Sequence, residues 1–502
     1  MSNLRLGNIG ATAVSTPPAG QVSIFANASN SDHPTAKDHL GNLYDLTIAA
    51  VDDTITTEFY IVDAINGDDS TGEKSSYVNS FKTIAAAEDA ASFGEVIRII
   101  TDVKECGMGK DGIKYIIDPG VKIYYTIADA TPGDLNTSHL WSDYRAGTAI
   151  SFEVYGGYHE AEGNWFGPSD RGIIRNNFGS NIKILDAEKI FAKGTSQDLI
   201  IAQGTGGNTE MHCKGDIISG LNGLQIIGAI DSTVIVKAEG KIQTELRKIG
   251  AYSGAEGNKV LFEAGTEMVS LGHSISGLRS TLYGNTGNPD NPEHWIMKAP
   301  RITYYDPFPN LGSNNGAFLF GWNNFNLKLD VVAEILTMSN IDPATYTNEA
   351  SLLALNYGGS NSNYDVRLDV GTIVLGKGHE FDDTSYTPGR TQSLVKLKNC
   401  EIVTMSDLLH SGNVIDTNYF MPTFEGACKI IINPDAITAG QKAIGSSGGN
   451  DAWVMGHVIT NGDYYDANFT DMFTGATGPA ITNIKVNDTS EITDFEKYRN
   501  IL

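Results

Sequence analysis

From residue 182 onward one short pattern recurs: three apolar residues at alternate positions, then a further apolar residue four positions on. The clear instances are Val234, Val236 and Ala238 with Ile242; Val260, Phe262 and Ala264 with Met268; Leu327, Leu329 and Val331 with Ile335; and Val366, Leu368 and Val370 with Val374. Looser ones are Ile182 and Ile184 with Ile190; Thr209, Met211 and Cys213 with Ile217; Trp295, Met297 and Ala299; Val395 and Leu397; and Ile430 and Ile432. The first residues fall at 182, 209, 234, 260, 295, 327, 366, 395 and 430, so the intervals are 27, 25, 26, 35, 32, 39, 29 and 35. One alternating strand per unit cannot bury its own apolar side, so each unit must stack on its neighbours. The pattern predicts an all-β solenoid of parallel strands, with equivalent residues in columns that step by about 4.8 Å.

That register predicts what stands outside. The position three places after each start holds Lys237, Glu263, Lys298, Asp330, Asp369 and Lys398, which alternate in sign except between Asp330 and Asp369. Opposite charges on neighbouring strands are mildly stabilising, so the alternation supports the register. One place after each start, Ile235, Leu261 and Ile296 give way to Lys328, Arg367 and Lys396. An outward apolar column must be covered, either by loops of the same chain or by a second copy.

Ahead of the repeat, Phe59-Tyr60-Ile61-Val62-Asp63 reads as a strand and Asn66-Gly67-Asp68-Asp69 as a turn. Residues 80 to 91 read as an alanine-rich helix, with Ser80 as its N-cap and Phe81, Ile84, Ala87 and Ala91 as its apolar stripe. After Gly94, Val96-Ile97-Arg98-Ile99-Ile100 is too apolar for an exposed strand. A single amphipathic helix at the head of a β-array is expected to cover its open end. Residues 1–50 differ: a Pro-rich and small-residue arm through Gly20, strand candidates over 21–25 and 43–47, and a polar loop from Asn27 to Gly41 between them. From Asn450 the chain is turn-rich and is expected to end in a short helix, with Thr493 and Glu496 as a capping box before Tyr498, Ile501 and Leu502.

Composition narrows the picture. Among 502 residues, 55 Gly supply the turns that many short strands need, and 41% hydrophobic residues suffice to fill a core. A formal charge of −25, with no cluster among the 35 Lys and Arg, argues against nucleic acid as a partner. The opening Met1 to Gly7 lacks the apolar run of a secretory signal, and no stretch of about 18 apolar residues could span a bilayer, so synthesis in a cytoplasm without membrane insertion is expected. Cys106, Cys213, Cys400 and Cys428 lack ligand spacing and read as small buried hydrophobes.

The order of strand, Asn-Gly-Asp-Asp turn, Ser80-Phe81-Lys82-Thr83-Ile84-Ala85-Ala86-Ala87 helix and Val96-Ile97-Arg98-Ile99 strand resembles the N-terminal cap of pectate-lyase-like right-handed parallel β-helices, including bacteriophage tailspikes. About 45 residues carry it. The arm, with Ser15-Thr16-Pro17-Pro18-Ala19-Gly20, Val22-Ser23-Ile24-Phe25 and Gly41-Asn42-Leu43-Tyr44, resembles the virion-attachment heads of phage fibres. The resemblance implies an attachment arm over 1–50, a β-helix cap over 51–125, a right-handed parallel β-helix with inserted loops over 126–448, and a C-terminal cap or partner-contact region over 449–502. It implies a structural phage appendage, a tail fibre or spike in the virion. Such an appendage is a homotrimer, bound to other virion proteins through residues 1–50 and contacting a host-surface glycan. A head fibre or capsid-decorating protein, or a polysaccharide-depolymerising tailspike, would share the shaft.

No catalytic, cofactor or metal residue is assigned. Depolymerising β-helices use outer carboxylates, so the Asp330 and Asp369 step is the place to look. Side by side about 5 Å apart they would suit a nucleophile and an acid/base. Lys328, Arg367 and Lys398 around them favour a solvated charge ladder instead. His379-Glu380 with Asp382-Asp383 lacks a second His at ligand spacing and reads as a polar loop. Gly204-Thr205-Gly206-Gly207 lacks the following Lys and helix of a phosphate cradle. Tyr304-Tyr305-Asp306-Pro307-Phe308-Pro309 and Phe318-Leu319-Phe320-Gly321-Trp322, with Asn310, Asn314, Asn315, Asn323 and Asn324, could stack on sugar rings or close a loop against the shaft.

Overall fold

The computed structural model describes residues 58–126, 139–163 and 171–194 continuously, most of 197–306, then 326–340, 364–376 and 393–405. Elsewhere it describes separate strands between residues 8 and 45 and between 316 and 486. The chain divides into two compact units, Met1–Glu58 and Phe59–Leu502.

The first unit carries a four-stranded sheet in the order β1 (Asn8–Ile9), β2 (Ser23–Asn27), β3 (His33–Lys37) and β4 (Leu43–Asp45). β2 and β4 fall on the two expected strands. β3 lies inside the stretch read as a polar loop and corrects that reading. Its backbone pairs antiparallel with both β2 and β4, so ladder bonds rather than apolar content define it. Pro34 sits opposite Ala26, beyond the three residues that also meet β4, where a residue without an N–H is tolerated.

The second unit is mostly parallel sheet, an arrangement compatible with a β-helix solenoid. It begins with β5 (Phe59–Val62), α1 (Ile84–Ala90), β6 (Val96–Ile99), β7 (Val103–Lys104), β8 (Lys114–Ile117) and β9 (Lys122–Tyr125). Then come β10 (His139–Ser142), β11 (Ser151–Tyr155), β12 (Tyr158–Gly163), β13 (Arg171–Asn176), β14 (Asn181–Ala187), β15 (Lys189–Gly194) and β16 (Gln197–Ala202). Each of β10 to β13 pairs in parallel with the strand three places later. The rule continues through Asn208–Cys213, Thr233–Ala238, Lys259–Ala264 and Glu293–Lys298 on the first face. In each turn the strand in line with β11 is the first, that in line with β12 the second and that in line with β10 and β13 the third; the third strands form a nine-stranded parallel sheet, and the first and second strands lie in one of 24.

The inward columns follow the predicted alternation over the early turns. Ile182, Thr209, Val234, Val260 and Trp295 are successive register partners, and all are buried. Two later starts are corrected. Trp295 pairs with Leu329, which pairs with Val366, so Leu327 sits one alternation early. Ile430 pairs with Ile402, on the second strand of its turn and not the first. A period of two has no absolute phase, and Leu327 opens a 14-residue strand, Leu327–Asn340, that offers two equivalent starts. That strand runs on from the first face to the second, where Leu336 and Ile373 take the inward column expected for Ile335 and Val374.

The helix is shorter than predicted, and its N-cap is Thr83, not Ser80. Phe81 cannot be helical because its N–H donates to the Ile61 carbonyl and its own carbonyl accepts from Asp63, both at 2.8 Å. Thr83 Oγ1 instead accepts from the Ala86 N–H at 3.1 Å. The stripe is as read: Phe81, Ile84, Ala87 and Ala91 are all buried, in one cluster with Val62 and Ile97. β6 is correspondingly enclosed, and its one charged residue, Arg98, pairs with Asp118 at 2.8 Å. Tyr115, Trp141 and Phe152 fill the next turn, with Tyr115 edge-on to both at 5.0 and 5.9 Å. Cys213 and Cys400 are buried and Cys106 is half-buried, and none of these three is in a disulfide. The Cys428 side chain and the expected helix over 493–502 lie outside the described residues.

Candidate functional site

The first place to look for chemistry, the Asp330 and Asp369 step, is not assembled. Asp330 pairs across the strands with Ile296 on one side and Arg367 on the other; Asp369 pairs with Val332. The two carboxylates thus sit two residues out of register. His294 Nε2 lies 2.9 Å from Asp330 Oδ2, and Lys398 donates to Asp369 at 3.1 Å. The outer charge column reads Lys237, Glu263, Lys298, Val332 and Asp369, an alternating ladder broken by one exposed valine. Glu263 is gripped from both sides, by Lys298 at 2.8 Å and Lys237 at 3.3 Å, and the hydrogen bond from Lys298 holds its carboxyl below the usual range.

The outward column Ile235, Leu261 and Ile296 is half-buried within the single chain. On the second face the outward column changes character along its length. Phe191, Ile218 and Gln243 are half-buried, whereas Val269, Thr303, Thr337, Val374, Val403 and Ile431 are buried although they point away from the central core. Val374, Val403 and Ile431 form a second apolar cluster with Met405. Among the described residues, the second face of the later turns is therefore covered by other parts of this chain, whereas over the early turns it is open.

A cleft of about 230 Å³ lies in that open stretch. It is lined by Lys122, Tyr158, Glu160, Lys189 and Phe191, which belong to two adjacent outward columns of β9, β12 and β15. One column runs Lys122, Tyr158, Lys189; the next runs Tyr124, Glu160, Phe191. The alternation of strands about 4.8 Å apart thus becomes a checkerboard of rings, ammonium groups and one carboxylate. Lys122 Nζ sits 4.4 Å from the centre of the Tyr124 ring and 3.8 Å from Glu160. Lys189 Nζ lies 5.7 Å from the centre of Phe191, within the reach of a cation–π contact. Asp102 accepts the Lys122 N–H at 2.8 Å, and Glu188 accepts the Gly120 N–H at 2.9 Å, which fixes the turns at the rim. The Glu188 carboxylate, bonded to the Tyr158 hydroxyl, pushes that phenol upward.

His159 borders the cleft through its backbone, but its ring is in the core. It belongs to the inward column with Ile123 and Ile190, and burial pushes it down to about 4. Nδ1 accepts from Trp141 Nε1 at 3.2 Å, so the proton is on Nε2, which donates to the Gly156 carbonyl at 3.0 Å. A neutral histidine with both nitrogens occupied is a packing element.

Sequence reading missed the cleft. Its residues come from strands more than thirty positions apart, and the visible signal was three similar runs, Lys122-Ile-Tyr-Tyr, Tyr158-His-Glu-Ala and Lys189-Ile-Phe-Ala. The glycine run has a packing role: Gly204 and Gly206 have positive φ, and a Cβ on Gly204 would meet the Gly179 amide nitrogen at 2.5 Å. Tyr304 is buried, consistent with ring closure against the core, while residues 307–315 and the side chains of 318–322 lie outside the described residues. So do the side chains of His379 and Glu380, and Asp382 and Asp383. Among the described residues no group of His, Cys, Asp or Glu could hold a metal ion, and no helix is long and apolar enough to cross a membrane. Comparison with protein-family models, with curated proteins and with solved structures finds no match to this chain.

Proposed function

We propose that the chain is a structural appendage of a phage particle, a tail fibre or spike whose second unit is a right-handed parallel β-helix. The observation that carries this reading is the return of the chain to the same face every three strands, with apolar columns inside and mutually neutralised charges outside. Such a wall resists bending and needs no chemistry. Right-handedness follows from the strong preference of parallel crossovers for that hand. α1, together with residues 74–81, acts as the N-terminal cap, because Ser75 and Phe81 donate to β5 and occupy its free edge. Residues 1–50 attach the protein to other virion proteins, three copies assemble, and the cleft over β9, β12 and β15 touches a host-surface glycan. Aromatic faces suit the C–H side of a sugar ring, and Lys122, Lys189 and Glu160 suit its polar rim.

Particles assembled with a chain lacking residues 1–50 should contain none of it, whereas the intact chain should be incorporated. Incorporation of the truncated chain removes the attachment reading. Release of reducing ends from host capsule by the purified protein would replace the structural reading with an enzymatic one.

A further inference from the structure

The helix α1 is fastened to the sheet beneath it by charged groups at both ends and in the middle. At its start, Glu105 accepts the Ile84 and Ala85 N–H groups at 2.7 and 2.8 Å, and Asp69 accepts those of Lys82 and Thr83 at 2.8 and 2.9 Å. At its end, Lys110 Nζ donates to the carbonyls of Glu88 and Ala91. In the middle, the carboxyl of Glu88 points inward. It accepts the Tyr115 hydroxyl at 2.6 Å and the Gly109 N–H at 2.9 Å, while Arg145 Nη1, on a half-exposed side chain, stands 3.8 Å from its other oxygen. β5 and β6, the strands under the helix, present apolar residues there, among them Val62, Ile97 and Ile99.

Two donors and one distant, half-solvated guanidinium do not replace the water that a carboxylate loses on burial. We propose that Glu88 is a proton-operated latch: protonated, it fastens α1 onto the sheet, and ionised, it loosens α1 and uncovers the apolar residues beneath. Burial pushes Glu88 up to about 7, against the Tyr115 and Gly109 hydrogen bonds and Arg145, which pull it down; Glu105 is pushed the same way.

The sign follows from linkage. The docked form holds its proton more tightly than the released form, whose carboxyl titrates near 4.5. Docking is therefore favoured in acid and weakens as pH rises from about 4.5 to 7, with no further loss above. Between pH 5 and pH 8 the opening equilibrium of α1 should rise by about 70-fold from Glu88 alone.

Hydrogen exchange of the full chain, followed by mass spectrometry and corrected for intrinsic exchange, tests this. The peptide spanning 84–91 should lose protection by roughly that factor from pH 5 to 8, more than a peptide spanning 233–238. Glu88→Gln, which keeps an acceptor for Tyr115 and Gly109, should leave only the smaller Glu105 dependence. A wild type flat across this range, or a Gln variant as steep as wild type, overturns the latch. Should Glu88→Gln not fold, Arg145→Gln serves: it removes one of the groups that lower Glu88 and should carry the loss of protection to higher pH. An unmoved window overturns the latch equally.

Discussion

Asp330 stands directly opposite Arg367 on the next turn, while Asp369, its expected neighbour, stands opposite Val332. This two-residue offset decides what the outer face can do. Asp330 is engaged by His294 and Asp369 by Lys398, so the two carboxylates do not face one another across a substrate as a nucleophile and an acid/base pair must.

The offset makes an opposing prediction for Asp330→Lys. Beside an aspartate, the new lysine would stabilise; beside Arg367, with the loss of the His294 contact, it should destabilise by about 0.5–1 kcal/mol. The urea midpoint of the variant against wild type reads the sign directly.

Two candidate caps separate cleanly. Thr83→Ala removes the side chain that accepts the Ala86 N–H and should cost about 1 kcal/mol. Ser80→Ala should be neutral or slightly stabilising, because the buried Ser80 hydroxyl has no hydrogen-bond partner. Exchange protection of residues 84–90 in both variants is the measurement.

Phe262 is fully buried in the inward column between Val236 and Met297. Phe262→Ala should cost about 3–5 kcal/mol, whereas Leu261→Ala, one position along and half-buried, should cost less than half as much. Because repeats unfold regionally, the comparison is best made by exchange in strands 233–238, 259–264 and 293–298.

Glu293 is buried, accepts from Asn258 at 2.8 Å and from Trp295 Nε1 at 3.1 Å, and is pushed up to about 7 by desolvation. Its folded affinity for a proton exceeds its unfolded one, so its penalty is absent in acid, grows between about pH 4.5 and 7, and is constant above. Glu293→Gln, which removes the titration but turns its NH2 toward one of the two donors, should compare more favourably with wild type at pH 8 than near pH 4. Trp295 fluorescence should titrate near 7 in wild type and stay flat in the variant.

The inward columns were legible because alternation survives in any strand with one buried face. Val234, Val260 and their partners needed only a count of two. Absolute phase was not legible, since Leu327 and Leu329 satisfy the same alternation and only pairing with Trp295 selects between them. The third strands escaped notice for a different reason. Leu199, Ile200 and Ile201 are all buried, on both sides of their strand, and a continuous apolar run carries no period. The cleft could not be seen because its residues become neighbours only through the irregular intervals between β9, β12 and β15. Glu88 was hidden because a glutamate in an alanine-rich helix ordinarily faces water. Nothing in its local sequence announces Tyr115.

The burial of Val374, Val403 and Ile431 behind the wall they belong to gives the second face of the later turns a double skin. Tolerance to substitution should therefore be graded along the chain: outward positions near Lys122 and Tyr158 can change freely, whereas a polar residue at Val403 would meet the same resistance as one in the core. On this second face, diversification that works by altering surface residues belongs to the early turns, and the late turns vary there by replacing their cladding along with the wall beneath it.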